Sequence, residues 1–150
     1  MKNFVVVCLF LILAAAPVYA QRAVEEASPF MLAEHSGEQN GRSFFVFSTS
    51  SASYVLRQDG LGEVTYPPAG LRKVFSLKAG PKARIDRVYT FEYEGDLLLL
   101  YEASEAGYLV RLNQKTRKLK GMVTVSHDFT APAIKDHRVL FSDGAIVSLN

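Results

Sequence analysis

The sequence predicts an all-β fold, and three observations favour it. Beyond residue 40, strand-like segments follow one another with loops of two to five residues between most of them, a spacing that favours antiparallel hairpins. No stretch in this region has helical periodicity. Two segments also recur at a spacing of about 40 residues, the size of a small β-repeat. We therefore predict a single all-β domain over residues 41–150.

The first predicted strands are short and separated by recognisable turns. Ser43–Ser48 and Tyr54–Arg57 are rich in aromatic and branched residues, which suit a pleated, half-buried surface. Asp59-Gly60 is a hairpin turn signal, and Glu63–Tyr66 follows it. Residues 67–70 contain two prolines and a glycine, and so predict a loop.

The middle of the chain predicts the centre of the sheet structure. Residues 71–77 are extended, and 85–93 alternate between two faces with a slip near Asp86. Leu97–Tyr101 is apolar on both faces, which predicts a central strand covered on both sides. Further strands are predicted over 108–112, 122–125, 139–141 and 146–149.

An internal repeat links the last strands. Tyr108–Asn113 matches Ala145–Asn150, and a glycine precedes each segment. The strand before each copy also matches, Leu98–Leu100 against Val139–Phe141, which predicts two equivalent strands buried on both faces. A unit of this length is close to a four-stranded propeller blade of about 40–45 residues.

The stretch Gly107–Asn113, followed by Thr116 and Lys118, resembles a blade of the quinoprotein-type (PQQ-like) β-propellers. The resemblance covers about residues 84 to 150 and implies antiparallel propeller-like blades. Arg117 stands where the family has its turn glycine, and the chain has no tryptophan to dock between blades. No motif for the quinone carries over, so we predict no cofactor.

The length of the chain leaves the architecture open. The 130 residues after position 20 hold at most three blades of about 40–45 residues, whereas propellers typically close with four to eight. We expect two to three blades in an incomplete ring. Copies that associate into a ring, a fragment of a longer propeller, and a small β-sandwich or barrel are the alternatives.

Residues 1–20 have the pattern of a secretory signal peptide. Lys2 precedes an apolar run over Phe4–Ala16, and Val18 and Ala20 occupy the exit positions. A membrane anchor is the alternative, but thirteen apolar residues fall short of the about 20 that a span needs. The prediction is a secreted or periplasmic protein that has no membrane segment after cleavage.

Residues 21–40 are predicted to be a polar leader with a short helix. Ser28 can cap it, Pro29 fits its first position and Gly37 can end it. We expect either this leader or a partner to cover the edge left by the last strand, 146–149.

Histidines and carboxylates offer the only candidates for chemistry. His127-Asp128 and Asp136-His137 flank one segment, but their spacing matches no zinc signature, and polar loop residues are the simpler interpretation. Glu92 and Glu94 share a predicted strand face with Asp96 beyond, as a glycosidase pair would require. The solvated face of a strand explains them as well, so we predict no catalytic or metal residue.

Surface composition narrows the class of ligand. Removing Lys2 leaves 16 basic against 15 acidic residues, which gives no argument for nucleic acid. The two basic stretches are either solvated hairpin ends or a patch that binds an anion or a polysaccharide. The five tyrosines are either a platform on which a sugar stacks or ordinary strand residues. The stretches contain Arg72, Lys73, Lys78, Lys82, Arg84 and Arg87, then Arg111, Lys115, Arg117, Lys118 and Lys120; the tyrosines are Tyr66, Tyr89, Tyr93, Tyr101 and Tyr108.

Together these features predict an exported, non-catalytic β-repeat module that binds an unknown protein or glycan, with homo-oligomers possible. A small envelope hydrolase is the competing class, although no serine lies in a G-x-S-x-G turn. A degenerate propeller fragment without a function of its own is the third.

Overall fold

The computed structural model of the chain describes residues 26–66, 69–77, 84–126, 129 and 131–150, which form strands joined by turns and short irregular segments. No helix occurs among them, so the all-β class is confirmed. The predicted signal peptide lies outside the described residues. The strands of the described residues are β1 Ser28–Pro29, β2 Met31–Ala33, β3 His35–Gln39, β4 Arg42–Ser48, β5 Ser53–Arg57, β6 Gly60–Thr65, β7 Gly70–Phe75, β8 Ile85–Tyr93, β9 Asp96–Ala103, β10 Ala106–Asn113, β11 Lys118–Val125, β12 Ala133–Lys135, β13 Arg138–Leu140 and β14 Ile146–Ser148.

The strands of the described residues form three antiparallel sheets. Sheet I has the order β3-β4-β5-β6-β7, sheet II the order β11-β10-β9-β8-β2, and sheet III the order β1-β12-β13-β14. Apart from the strands of the leader, each sheet is a run of consecutive strands joined by hairpins. None of the three sheets closes on itself within the described residues, so the barrel that we considered as an alternative is wrong.

The helix predicted for the leader is wrong, because residues 28–39 form β1, β2 and β3 instead. β1 pairs with β12, β2 with β8, and β3 with β4. Between the first two, the N–H of Phe30 donates to the carbonyl of Pro132 at 3.0 Å, and the Phe30 ring is buried. A helix this short is marginal in isolation, whereas the extended segment gains backbone pairs in all three sheets.

The leader also does not cover the last strand. β1 and β14 lie at opposite edges of sheet III, because β12 and β13 separate them. The expectation that the leader covers the edge at 146–149 is therefore wrong. The leader pairs instead with the first strand of each consecutive run, namely β12, β8 and β4.

The hairpin predicted at Asp59-Gly60 is present, with its turn at Gln58 and Asp59 and with Gly60 as the first residue of β6. A Cβ atom at Gly60 would lie 2.1 Å from the carbonyl oxygen of Phe75. Only glycine lets β7 approach β6 this closely at the turn.

Sheet II is the middle layer and is covered on both faces. Leu97, Leu99 and Tyr101 of β9 belong to the core shared with sheet I, and Leu98 and Leu100 belong to the core shared with sheet III. All five side chains are 0% exposed. The predicted central strand at 97–101 is therefore confirmed.

The predicted equivalence of Leu98–Leu100 and Val139–Phe141 is wrong in its burial pattern. Val139 and Phe141 are buried against sheet II, whereas Leu140 is only half-buried. Leu140 lies on the opposite face of sheet III, because alternate residues of a strand point to opposite faces. Sheet III is thus covered on one face only within the described residues.

Substitutions in β9 and β13 test this layering. Leu99→Ala removes a fully buried side chain and should lower the free energy of unfolding by about 2–5 kcal/mol. Leu140→Ala removes a half-buried side chain from an open face and should cost about 1 kcal/mol or less. Urea denaturation of both variants measures the difference, and equal losses would contradict the open outer face of sheet III.

Candidate functional site

A densely hydrogen-bonded polar side chain, Gln114, lies where sheets I and II meet. Its Oε1 accepts hydrogen bonds from Thr49 Oγ1 at 2.6 Å and from Tyr54 OH at 3.0 Å. Its Nε2 donates to the carbonyl of Gly95 at 3.1 Å and to Glu92 Oε1 at 3.2 Å. Because Gln114 is buried, these four bonds satisfy an amide that would otherwise be costly to bury.

Glu92 joins this junction to the loop after β4. Its Oε1 also accepts hydrogen bonds from the backbone N–H of Ser50 at 3.1 Å and from Ser50 Oγ at 2.8 Å. The hydrogen bond from the Ser50 hydroxyl is the largest cause that lowers the pKa of Glu92 below its ordinary value. A carboxylate with a lowered pKa is a weak base, so Glu92 is suited to hold the loop and not to activate Ser50.

An open cleft of about 300 Å³ lies beside this junction. β2, the end of β4 and the neighbouring strands β8 and β9 form its walls. Its lining residues are Pro29, Met31, Ser48, Thr49, Thr90, Phe91, Glu92 and Leu97.

A second polar group lies between sheets II and III. The hydroxyl of Tyr93 is hydrogen-bonded to Nδ1 of His137, and Glu94 Oε1 lies 3.8 Å from the same nitrogen. Asp136 and His137 form the turn between β12 and β13 with φ angles of +51° and +58°, as a tight hairpin of two residues requires. The turn therefore directs the His137 ring to Tyr93 at the mouth of a cavity of about 280 Å³.

The metal site that we considered at His127, Asp128 and His137 is not formed by the described residues. His127 and Asp128 lie outside them. Within the residues that the structure describes, no group of three or more histidine, cysteine or carboxylate side chains is placed to hold a metal ion.

The three carboxylates at 92, 94 and 96 point to three different partners. Glu94 lies in the turn between β8 and β9 with a φ of +50°, so it does not share the strand face of Glu92. Glu92 bonds Ser50 and Gln114, Glu94 faces His137, and Asp96 pairs with two basic side chains. The paired arrangement that a glycosidase requires is therefore absent from this segment.

Asp96 is the most buried of these carboxylates, with 5% of its side chain exposed. Its Oδ2 accepts from Arg111 Nε and from Lys120 Nζ, both at 2.7 Å. Burial raises the pKa of Asp96, but the hydrogen bonds from Lys120 and Arg111 outweigh it and leave the pKa below its ordinary value. Arg111 also stacks over the Tyr93 ring and donates to the carbonyl of Leu149 at 2.6 Å.

Ion pairs neutralise much of the two basic stretches. Arg87 forms two bonds to Glu102 and one to the carbonyl of Phe129, and Arg117 pairs with Glu63 on sheet I. Arg84 pairs with Asp86 at the surface, and Arg111 and Lys120 share Asp96. Lys78 and Lys82 lie outside the described residues. Arg84, Arg87, Arg111, Arg117 and Lys120 are therefore held in ion pairs, so unpaired positive charge is not continuous along the described part of these stretches.

The five tyrosines do not form one platform. Tyr101 is fully buried and stacks on Tyr108 with ring centroids 5.4 Å apart. Tyr89 packs edge-on against Phe129, Tyr93 is buried beside His137, and Tyr66 is 84% exposed. Four of the five are thus core or interface residues, which accounts for their presence without a sugar ligand.

Comparisons with protein-family models, with curated proteins and with solved structures find no match to this chain. The similarity to quinoprotein-type propellers therefore stays a prediction. In the part of the chain that the structure describes, no helix is long and apolar enough to cross a membrane.

Sequence reasoning missed the junction around Gln114. Its partners Thr49 and Tyr54 are 65 and 60 residues away along the chain, and no local motif surrounds any of the three. The one sequence feature that indicates part of the junction is Asn113, a residue type that favours turns. Its Oδ1 accepts hydrogen bonds from the N–H groups of Lys115 and Thr116 and so stabilises the turn that contains Gln114.

The Asp96 pairs predict a pH-dependent stability. Because the pKa of Asp96 is lower in the folded than in the unfolded chain, its ionised form stabilises the fold above about pH 4, and this stabilisation is lost as the pH falls through the folded-state pKa. Asp96→Asn should lower the free energy of unfolding by about 1–2 kcal/mol at pH 7. This value is that of hydrogen bonds to a charged group, lowered because solvent screens the partly exposed Lys120.

Chemical denaturation at pH 7, 5 and 3 measures this. The difference between the native chain and Asp96→Asn should shrink toward pH 3. A difference that stays constant over this range would contradict the ion-pair interpretation.

Proposed function

We propose that this chain is an exported, non-catalytic protein-binding module built from three propeller-like blades. The order of the strands supports the blades: β4–β7, β8–β11 and β12–β14 each run outward from the leader in chain order, as strands do in propeller blades. The signal-like pattern of residues 1–20 supports export.

The outer face of sheet I is the observation that carries the binding function. Register aligns Val46, Val55 and Gly62 in one row across three strands, and Val64 opposite Leu71 beside it. These residues lie on the face opposite the core, and Val46, Val64 and Leu71 are 44%, 39% and 42% exposed. On sheet II, the aliphatic rows of both faces are covered by a neighbouring sheet. By analogy, the exposed aliphatic row of sheet I is suited to pack against the surface of another protein.

Charge defines the kind of partner. Arg57 and Lys73 share the outer face of sheet I with the aliphatic row, and Lys135 and Arg138 lie on the outer face of sheet III. None of these four side chains forms an ion pair with a described residue. Because both outer faces are basic, packing sheet I of one copy on sheet III of another brings like charges together. We infer a partner with an acidic, aliphatic polypeptide surface.

The polar groups of the described residues support a role without catalysis. The hydroxyl of Ser50 donates to Glu92, and His137 is bonded to Tyr93 with no nucleophile beside it. Neither group forms the nucleophile, base and orienting residue of a hydrolytic site. Within the described residues, no arrangement of side chains therefore supports a hydrolase.

Photo-crosslinking in the organism that produces the protein tests the proposal. A benzoylphenylalanine at position 71 should form a discrete adduct with another protein, whereas the same group at position 115, in the exposed turn after β10, should not. Lys73→Glu should remove the adduct, because it opposes an acidic partner, and Lys118→Glu should leave it.

No adduct at position 71, or one that Lys73→Glu leaves unchanged, would contradict the proposed surface. An adduct of twice the mass of the chain would show that the partner is a second copy and would contradict the acidic partner. Turnover of ester, glycoside or peptide model substrates would refute the non-catalytic role.

A further inference from the structure

The three sheets differ in how their edges away from the leader are protected. β7 carries Arg72 and Lys73 and shifts register opposite Leu61 and Gly62; β11 carries Lys118 and Lys120 and shifts register opposite Arg111. Basic side chains and β-bulges are the usual devices that prevent an edge strand from pairing with another chain. The two edges are therefore blocked against strand addition.

The edge of sheet III has neither device. The segment 145–150, which contains β14, has no charged side chain and no proline, and β14 pairs with β13 without a register shift. The N–H of Phe141 donates to the carbonyl of Ala145, and the N–H of Leu149 donates to the carbonyl of His137. In the segment 145–149, the backbone groups of the odd-numbered residues therefore face β13. The N–H and C=O groups of Ile146 and Ser148 consequently point away from β13, to the side of β14 on which no described strand pairs with it.

A slot with an apolar floor lies along this side of β14. A cavity of about 210 Å³ is lined by residues 147–150 on one side and by β10 and β11 of sheet II on the other. Its floor contains Leu109 and Val123, and Val123 is 45% exposed. A Cβ atom at Gly121, also on the floor, would have no other heavy atom within 4 Å, so this part of the slot is open.

The floor of the slot extends one strand beyond β10. In the part of the chain that the structure describes, β11 is the edge strand of sheet II on this side. A whole sheet of a second copy paired with β14 would extend past this floor, whereas a single extended segment would be covered along its length. The geometry therefore fits one strand from a flexible polypeptide.

The charge beside the slot fits an acidic segment. Arg111 and Lys120 share the single carboxylate of Asp96, which leaves one positive charge in excess. The Lys120 side chain is 45% exposed and lines the slot. A carboxylate on the added strand would balance this charge.

We propose that β14 is a β-augmentation site for an extended peptide that alternates aliphatic residues and carries an acidic side chain. The peptide adds a fifth strand to sheet III beside β14, bonds the outward groups of Ile146 and Ser148, and places aliphatic side chains on Leu109 and Val123. Main-chain hydrogen bonds supply affinity and alternate side chains supply specificity, as in other cases of strand addition. This site is separate from the outer face of sheet I, so the proposal for one surface can be refuted while the proposal for the other stands.

Selection of peptides from a displayed library of random heptapeptides against residues 21–150, which omit the predicted signal peptide, tests the site. The enriched peptides should alternate aliphatic residues and contain Asp or Glu, and replacing that residue by its amide should weaken binding in fluorescence anisotropy. Ser148→Pro removes an outward N–H and leaves the pairs with β13 intact, so it should raise the Kd at least tenfold. The control variant Ser148→Ala keeps the N–H and should bind like the native chain.

Amide hydrogen exchange provides a second readout that needs no variant. Addition of an enriched peptide should slow exchange at Ile146 and Ser148 and leave Val147, already bonded to β13, unchanged. Failure to enrich any peptide, equal binding to Ser148→Pro, or no change at Ile146 and Ser148 would overturn the proposal. A dimer that Ser148→Pro dissociates would show a second copy as the occupant and would overturn it as well, whatever the outcome of crosslinking at position 71.

Discussion

The coverage of sheet II on both faces is the constraint on which the rest of the structure depends. β9 alternates side chains into two separate cores, and all five residues from Leu97 to Tyr101 are fully buried. Neither core can form without a neighbouring sheet. Sheets I and III are therefore required to pack on sheet II, and their own outer faces are what remains for other molecules.

The polar contacts between layers reinforce this stacking and account for much of the chain's charge. Gln114 and the Arg117–Glu63 pair join sheets I and II, whereas Arg111 and the Tyr93–His137 bond join sheets II and III. Glu92 and His137, which suggest chemistry in the sequence, thus hold layers together. The two binding surfaces that we propose are an aliphatic row and a backbone edge, neither of which is marked by a local sequence motif.

The parts of the fold that sequence predicts are those decided by local pattern. The apolar run at 97–101 predicts a doubly covered strand, and alternation locates β8 at 85–93 to the residue, whereas the strand predicted at 108–112 lies inside the longer β10, Ala106–Asn113. The strands of the leader and β12 were missed, because Phe30 and Ile134 acquire their cover from residues about a hundred positions apart in the chain. The junction at Gln114 was missed for the same reason, since its geometry exists only after sheets I and II pack.

Native-state hydrogen exchange of the chain tests the stacking of the three sheets most directly. The amides of Leu97–Tyr101 should be the slowest in the protein and exchange only through global unfolding, and the amide of Phe30, bonded to Pro132, should be protected as well. Rapid exchange at Phe30, or exchange of β9 through a partial opening that leaves sheet I protected, would contradict the account in which sheet II is the covered centre of one cooperative stack.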